Sequence, residues 1–329
     1  MTGNSGELPM KVVIAPSPGG PEALLLVDAP VPQPGPHDAV IRITAAGVNR
    51  ADVLQREGRY APPPGAPAWP GLEVAGTVAE AGAQSPWSVG DRVCALVPGG
   101  GYAEFVAVDS GLVLPLPPGV SDVDGASLVE AACTVVSNLD VAHARAGETL
   151  LVHGGSGGIG TAAIQIAKAR GMRVVATAGG PDRVRRCVEL GADAGLDHRD
   201  GDWAAKVREL GGADVILDVM GAAYLDANLS ALRTGGRLVV IGLQGGSRGD
   251  LDLGALLAKR ARIIGTALRG RPLAERTAIV ARVREDVWPL VPRRVRPVVH
   301  ATFPLDRAAD AHRALESGEV FGKLVLTVA

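Results

Sequence analysis

The chain has 329 residues, long enough for two domains with separate cores. Its 33 basic and 35 acidic residues leave a formal net charge of −2, and the arginines are dispersed, so neither a nucleic-acid-binding nor a membrane-binding surface is expected. Aromatic residues make up only 3%, which puts the core on Val, Leu, Ile and Ala and leaves few platforms for stacking bases.

Cys94, Cys133 and Cys187 are far apart, with no CxxC and no metal-ligand spacing, which fits a reduced, cytoplasmic chain. The histidines His37, His143, His153, His300 and His312 show no ligand spacing either and read as structural or exposed. No apolar run approaches the length of a membrane span. The opening MTGNSGELP lacks the basic and apolar regions of a signal peptide and reads as a flexible leader.

In chain order, residues 11 to 118 read as mostly β. KVVIA (11–15) and LLLVD (24–28) are apolar runs separated by prolines and glycines, a hairpin-like punctuation. AVIRITAAG (39–47), LEVAGTVAEAG (72–82), DRVCALV (91–97) and YAEFVAV (102–108) continue the pattern, which suggests a partly open barrel. A helix over 50–57 interrupts it. The Pro- and Gly-rich loop 58–71 follows, of a length that usually carries function.

From Ser121 the texture changes. Residues 121–142 have helical period behind a good cap, Ser121 or Asp122. Strands at 149–152, 174–178, 194–197, 214–220, 237–242 and 262–268 then alternate with helices, which demands a parallel sheet covered on both faces. After Pro272 come a long amphipathic helix, VVHATFP, a helix over 305–316 and a closing strand, GKLVLTV. These do not extend the parallel sheet, so the C-terminal part is expected to rejoin the first domain.

The chain is organised around TLLVHGGSGGIG, residues 149–160. A buried strand runs into a glycine turn, and a helix follows, with Ile164 and Ala167 on its inner face and Gln165 and Lys168 towards solvent. Gly155, Gly157 and Gly160 keep the GxGxxG spacing. Gly155 permits the tight turn, Gly157 leaves room for a pyrophosphate, and Gly160 lets the helix pack close to the strand. The helix start offers N–H groups and positive dipole to phosphate. Plain strand-to-helix turns use glycine too, so the spacing alone leaves both readings open. The following strand ends Ala178–Gly179–Gly180 with no acid to hold a ribose 2′-OH, as NAD would need. Asp182 reads as a first-turn acid, and Arg183 is able to take a phosphate bidentately.

A wider set of motifs is more specific. GGPEAL (19–24), AAGVNRADVLQREGRYAPPPG (45–65), GLEVAGTV (71–78), PGGGYAEF (98–105), HGGSGGIGTAAIQIAKARG (153–171), GLQGG (242–246) and FGKLVL (321–326) resemble the zinc-free quinone oxidoreductases of the medium-chain dehydrogenase/reductase superfamily. This is the zeta-crystallin-like group, here most similar to its tumour-suppressor-inducible branch. The resemblance implies an α/β fold: a doubly wound Rossmann domain with a parallel sheet, plus a mostly-β, barrel-like (GroES-like) catalytic domain. The expected division is 1–122 for the first part of the catalytic domain, 123–268 for the NADPH-binding domain and 269–329 for the return.

It also implies NADPH as hydride donor to a quinone or other α,β-unsaturated carbonyl. Asn49 and Tyr60 would be catalytic, orienting the substrate carbonyl. Asn49, Thr134, Gly155, Gly157, Gly158, Ile159, Gly160, Arg183, His198, Gly242, Leu243, Leu268 and Lys323 would line the cofactor. Relatives carry serine at Gly180 and tyrosine at His198. Zinc-dependent relatives place cysteine at Asn49 and histidine at Leu72, and neither Asn nor Leu replaces a zinc ligand, so no metal is expected. Arg269 and Arg271 match a segment near the nicotinamide, though surface arginines would look the same. An enoyl-thioester reductase and a non-catalytic, crystallin-like NADPH-binding protein are the alternatives. The last strand, 262–268, is apolar with one charge at Arg262 and no proline, so a homodimer through that sheet edge is expected.

Overall fold

The computed structural model describes residues 9–329; the leader expected at the N-terminus lies, apart from Pro9, outside them. The chain divides into two compact units. One is made of the chain up to Glu130, Arg269–Trp288 and Pro297–Ala329, and the other of Ala131–Leu268 and Pro289–Arg296.

The first unit begins with the expected hairpin, β1 (Met10–Ile14) antiparallel to β2 (Leu25–Ala29). Next come β3 (Asp38–Val48), α1 (Arg50–Arg56), β4 (Glu73–Ala81), β5 (Arg92–Leu96), β6 (Phe105–Asp109), β7 (Val113–Pro115) and α2 (Asp122–Ala126). Strand β7 escaped the sequence reading because three residues carry no alternation to detect. One helix was expected over 121–142, but the chain turns between α2 and α3 (Val129–Val141). Ser121 caps α2 through the Asp124 N–H as expected. Ser127 then ends it, its N–H and hydroxyl both turned back to the Asp124 carbonyl.

The second unit carries β8 (Thr149–Val152), α4 (Gly158–Ala169), β9 (Arg173–Ala178), α5 (Pro181–Glu189), β10 (Ala194–Asp197), α6 (Trp203–Glu209), β11 (Ala213–Asp218), α7 (Leu225–Ala231), β12 (Leu232–Val240), α8 (Leu253–Lys259) and β13 (Arg262–Gly265). All six strands are parallel, in the order β10-β9-β8-β11-β12-β13. In chain order that is 3-2-1-4-5-6, the Rossmann arrangement, whose switch point lies between β8 and β11. Leu151, Val175, Ile216 and Leu238 of successive strands meet Trp203, Val207 and Leu229 of α6 and α7 in a buried core.

Two expectations need correction here. Gln165 does not face solvent. It is buried, donating to the Thr161 and Arg296 carbonyls and accepting the Arg296 N–H, so a backbone segment far along the chain satisfies its amide. The edge strand is also shorter than 262–268 and stops at Gly265, leaving Leu268 outside it.

The chain then forms α9 (Leu273–Asp286), β14 (Val299–Pro304), α10 (Ala308–Glu316) and β15 (Lys323–Thr327). Apart from Pro289–Arg296, which belongs to the second unit, these elements rejoin the first unit. β15 pairs antiparallel with β3, Leu324 opposite Val48, and carries β14 on its other side, within a seven-stranded sheet ordered β14-β15-β3-β4-β5-β7 with β6 on β3.

Candidate active site

In the first unit the site is built where β3 ends and α1 begins. Asn49 stands at that junction, extended and nearly buried. Its backbone N–H donates to Asp52 Oδ2 at 2.8 Å, so the first helical turn is held by the acid three residues on. Its side chain turns the other way. Oδ1 accepts from Lys323 Nζ at 2.6 Å, and Nδ2 donates to Glu73 Oε1 at 3.0 Å. Lys323 Nζ also meets Glu73 Oε1 at 2.5 Å, and Glu73 Oε2 accepts the Glu130 N–H. All three side chains are buried, which fixes the plane of the Asn49 amide. Gly47 permits the approach of the acid, since a Cβ there would lie 2.3 Å from Glu73 Oε1.

Lys323 is the buried counter-charge of Glu73 on an inner strand.

Asp52 supports the same junction from behind. Its Oδ1 accepts the Gly71 N–H, and Tyr102 Oη lies 3.3 Å from Oδ2. Burial pushes its carboxyl up to about 6. Tyr102 Oη sits 3.0 Å from His312 Nε2, and Arg56 donates to His312 Nδ1 and pairs with Glu316. With Nδ1 accepting, His312 is neutral with the proton on Nε2. Burial first, and Arg56 second, drive its pKa down to about 3. Tyr60 lies in the long loop, half-buried, with the Arg269 guanidinium carbon 5.3 Å from its ring centre. Burial raises its phenol pKa, against the opposing pull of Arg269.

In the second unit the glycine turn joins a buried strand to a helix as expected, but its glycines divide the work differently. The left-handed residue is Gly154 (φ 65°), not Gly155. Gly155 is required by contact, because a Cβ would come within 2.9 Å of Ala176 Cβ and 3.1 Å of Cys187 Sγ. Gly160 packs α4 on the turn rather than on the strand, its Cβ position lying 2.1 Å from the Gly154 carbonyl. At Gly157 a Cβ would touch nothing nearer than that carbonyl, at 3.4 Å, and no side chain caps α4. Gly157, Gly158, Ile159 and Gly160 thus present an open backbone start of a twelve-residue helix, which fits a dinucleotide pyrophosphate. Behind the turn, neutral His153 bridges Thr177 Oγ1 and Asn228 Oδ1, its pKa driven down to about 4 by burial.

At the end of β9, Arg183 and His198 are brought together. A Cβ on Gly179 would lie 3.2 Å from His198 Nε2 and 3.7 Å from Arg183 Nη1. Sequence reasoning found no acid here, yet one is present. Asp197 on the neighbouring strand stands in register with Ala178, and its Oδ2 accepts the Gly180 N–H. Arg199 grips that carboxylate through N, Nε and Nη2 and holds its pKa well below the usual range. The acid is thereby neutralised, and the spot remains basic.

Gly242 packs against Val219, just past the end of β11, where a Cβ would meet the Val219 carbonyl at 2.8 Å, and Leu243 beside it is exposed. Thr134 is buried in α3, its carbonyl taking Ser137 Oγ and Asn138 Nδ2. Asn138 Oδ1 in turn accepts the Thr266 hydroxyl, which ties α3 to the segment leading to half-buried Leu268. Among the described residues no group of three or more His, Cys, Asp or Glu could hold a metal, and no helix is long and apolar enough to cross a membrane.

Known proteins share this plan. Residues 35–118 match the family described as "Alcohol dehydrogenase GroES-like domain", and residues 158–283 the family described as "Zinc-binding dehydrogenase". The chain is 34% identical over 321 residues to the quinone oxidoreductase of Rattus norvegicus, with 94% of each chain covered. It is similar in structure to the quinone oxidoreductase of Thermus thermophilus, solved with and without NADPH, at TM-score 0.85 and 36% identity over 97% of this chain and all of that one. Escherichia coli quinone oxidoreductase complexed with NADPH gives a TM-score of 0.86 at 25% identity, over 97% and 99% of the two chains.

Proposed function

The chain belongs to the quinone oxidoreductase family of the medium-chain dehydrogenases/reductases, and from that premise we propose that it reduces quinones with NADPH, without a metal. The observation that carries the reading is the open glycine turn at Gly155, Gly157 and Gly160 beside a basic rather than acidic β9 end. When bound, NADPH supplies a hydride. Gly158, Ile159 and Gly160 offer backbone N–H groups to its pyrophosphate, and Arg183 and His198 favour a 2′-phosphate. Gly242, Leu243, Thr134 and Leu268 complete the cofactor lining.

The chain's own groups do the positioning. Lys323 and Glu73 fix the Asn49 amide, so Asn49 orients its ligand without conformational cost. Tyr60 presents a phenol that burial keeps protonated, suited to donating a hydrogen bond to a carbonyl oxygen. No Lewis acid is needed, because a quinone ring is already electron-poor.

The test is NADPH absorbance with ortho- and para-quinones, enones and enoyl thioesters, with and without a chelator. Quinone-dependent oxidation that survives chelation is expected. Turnover confined to thioesters, or lost with the metal, would overturn the reading.

The assembly we infer is a homodimer. β13 is an outer strand, Ile263 on it is 38% exposed, and no proline blocks it, which suits antiparallel pairing with a second copy. A monomer by light scattering would refute this. Three free, buried cysteines suit a reducing, cytoplasmic setting.

A further inference from the structure

Arg269 is 7% exposed, and its Nε donates to the Pro98 carbonyl at 2.6 Å. That bond fixes the direction of the guanidinium. Its terminal nitrogens Nη1 and Nη2 are closed off from solvent and hydrogen-bond to nothing among the described residues. Five buried side-chain atoms share that condition, and Arg269 alone contributes two of them. The neighbouring acid does not take them, for Asp52 spends its oxygens on the Asn49 and Gly71 N–H groups and on Tyr102. The Tyr60 ring lies beside the guanidinium. Gly99 leaves room on another side, where a Cβ would stand 3.1 Å from Nη2. A buried guanidinium with two unmet ends is costly, and burial lowers its hold on its proton. Such a fork matches an oxygen acceptor that gains negative charge.

We propose that Arg269 is a catalytic residue whose Nη1 and Nη2 hold the substrate's carbonyl oxygen and pair with the charge that oxygen gains. The inference rests on the quinone reductase reading and names the group that takes up the developing charge. A hydride adds to the ring carbon conjugated with the carbonyl, forming a C–H bond. The C=C pair shifts towards the carbonyl, and the oxygen becomes an enolate beside the guanidinium. Solvent protonates that oxygen; the saturated ring carbon then gives its proton to solvent while the second carbonyl oxygen takes one up, which restores aromaticity as hydroquinone. The donor is oxidised by two electrons and the quinone reduced by two. The Tyr60 ring flanks the same guanidinium.

The test uses the full chain with Arg269→Met and Arg269→Lys. One readout needs no cofactor: 4-nitrophenol at a pH where it is partly ionised. Wild type is expected to raise the phenolate absorbance on binding, Arg269→Met to abolish the rise, and Arg269→Lys to restore part of it. In turnover of 1,4-benzoquinone, Arg269→Met should lower kcat by about 10²–10³, the worth of an oxyanion donor, with NADPH affinity unchanged. Its melting temperature should not fall, because an unpaired buried charge is removed.

A folded Arg269→Met that keeps the phenolate signal, with kcat within about twofold of wild type, overturns the inference. So does a variant that melts far lower while Lys restores the melting but neither signal nor turnover. A wild type that reduces no quinone overturns the parent reading instead, whatever the Arg269 variants do.

Discussion

The two units prepare their ligand surfaces by opposite means. In the second, the surface is backbone: Gly155, Gly157 and Gly160 work by lacking side chains, and the polar groups behind them, His153, Thr177 and Asn228, are uncharged. In the first, the surface rests on buried charge: Lys323, Glu73, Asp52 and Arg269. A backbone surface tolerates a large anion because its donors are many and fixed. A charged side-chain cluster fixes one amide and one guanidinium at the expense of stability, since each ion has left water.

Breaking the charged cluster should give the largest effect. Lys323→Met strands the Glu73 carboxylate with only the Asn49 amide and the Glu130 N–H as donors. A loss of about 3–5 kcal/mol of stability is expected in denaturant melts. Combining it with Glu73→Gln should recover much of that loss, which a double-mutant cycle measures.

On the backbone side, Gly160→Ala drives a Cβ to 2.1 Å from the Gly154 carbonyl. An overpacking cost of about 3 kcal/mol is expected in the same melts, with weakened NADPH binding by titration, because the turn must open. The smallest effect sharpens the contrast at the one charged spot of the second unit's ligand surface. Arg183→Ala should weaken NADPH binding by about 1.5–3 kcal/mol while leaving NADH nearly unchanged. Equal losses for both nucleotides would make Arg183 structural.

This contrast also explains what the sequence made legible. The glycine turn is contiguous, so its chemistry is read from a dozen letters, and the alternation after it dictates a parallel sheet. Even there, the spacing does not say which glycine turns left-handed, and it is Gly154 rather than a member of the GxGxxG set. The charged cluster joins Asn49 to a lysine 274 residues later, and only the sheet pairing of β15 with β3 brings them together. Each residue is a candidate by itself, but no spacing along the chain joins them. Asp197 is hidden for the same reason, since it reaches the β9 end across the sheet rather than along the chain. Gln165 sits inside against its expected face because its partner is a backbone segment with no side-chain signature.

Sequence distance gives the Asn49–Glu73–Lys323 contact a further meaning during synthesis. Asn49 and Glu73 leave the ribosome early, the whole of Ala131–Leu268 follows, and β15 emerges only afterwards. Until then β3 lacks its β15 neighbour, and the Glu73 carboxylate has no ammonium to meet. The second unit, contiguous except for Pro289–Arg296, has all six strands of its own sheet synthesised before β15. The first unit's sheet is the one that must wait for the end of the chain, and the residue that arrives last is the one that orients Asn49, so the nascent chain has its aligned amide only once β15 docks.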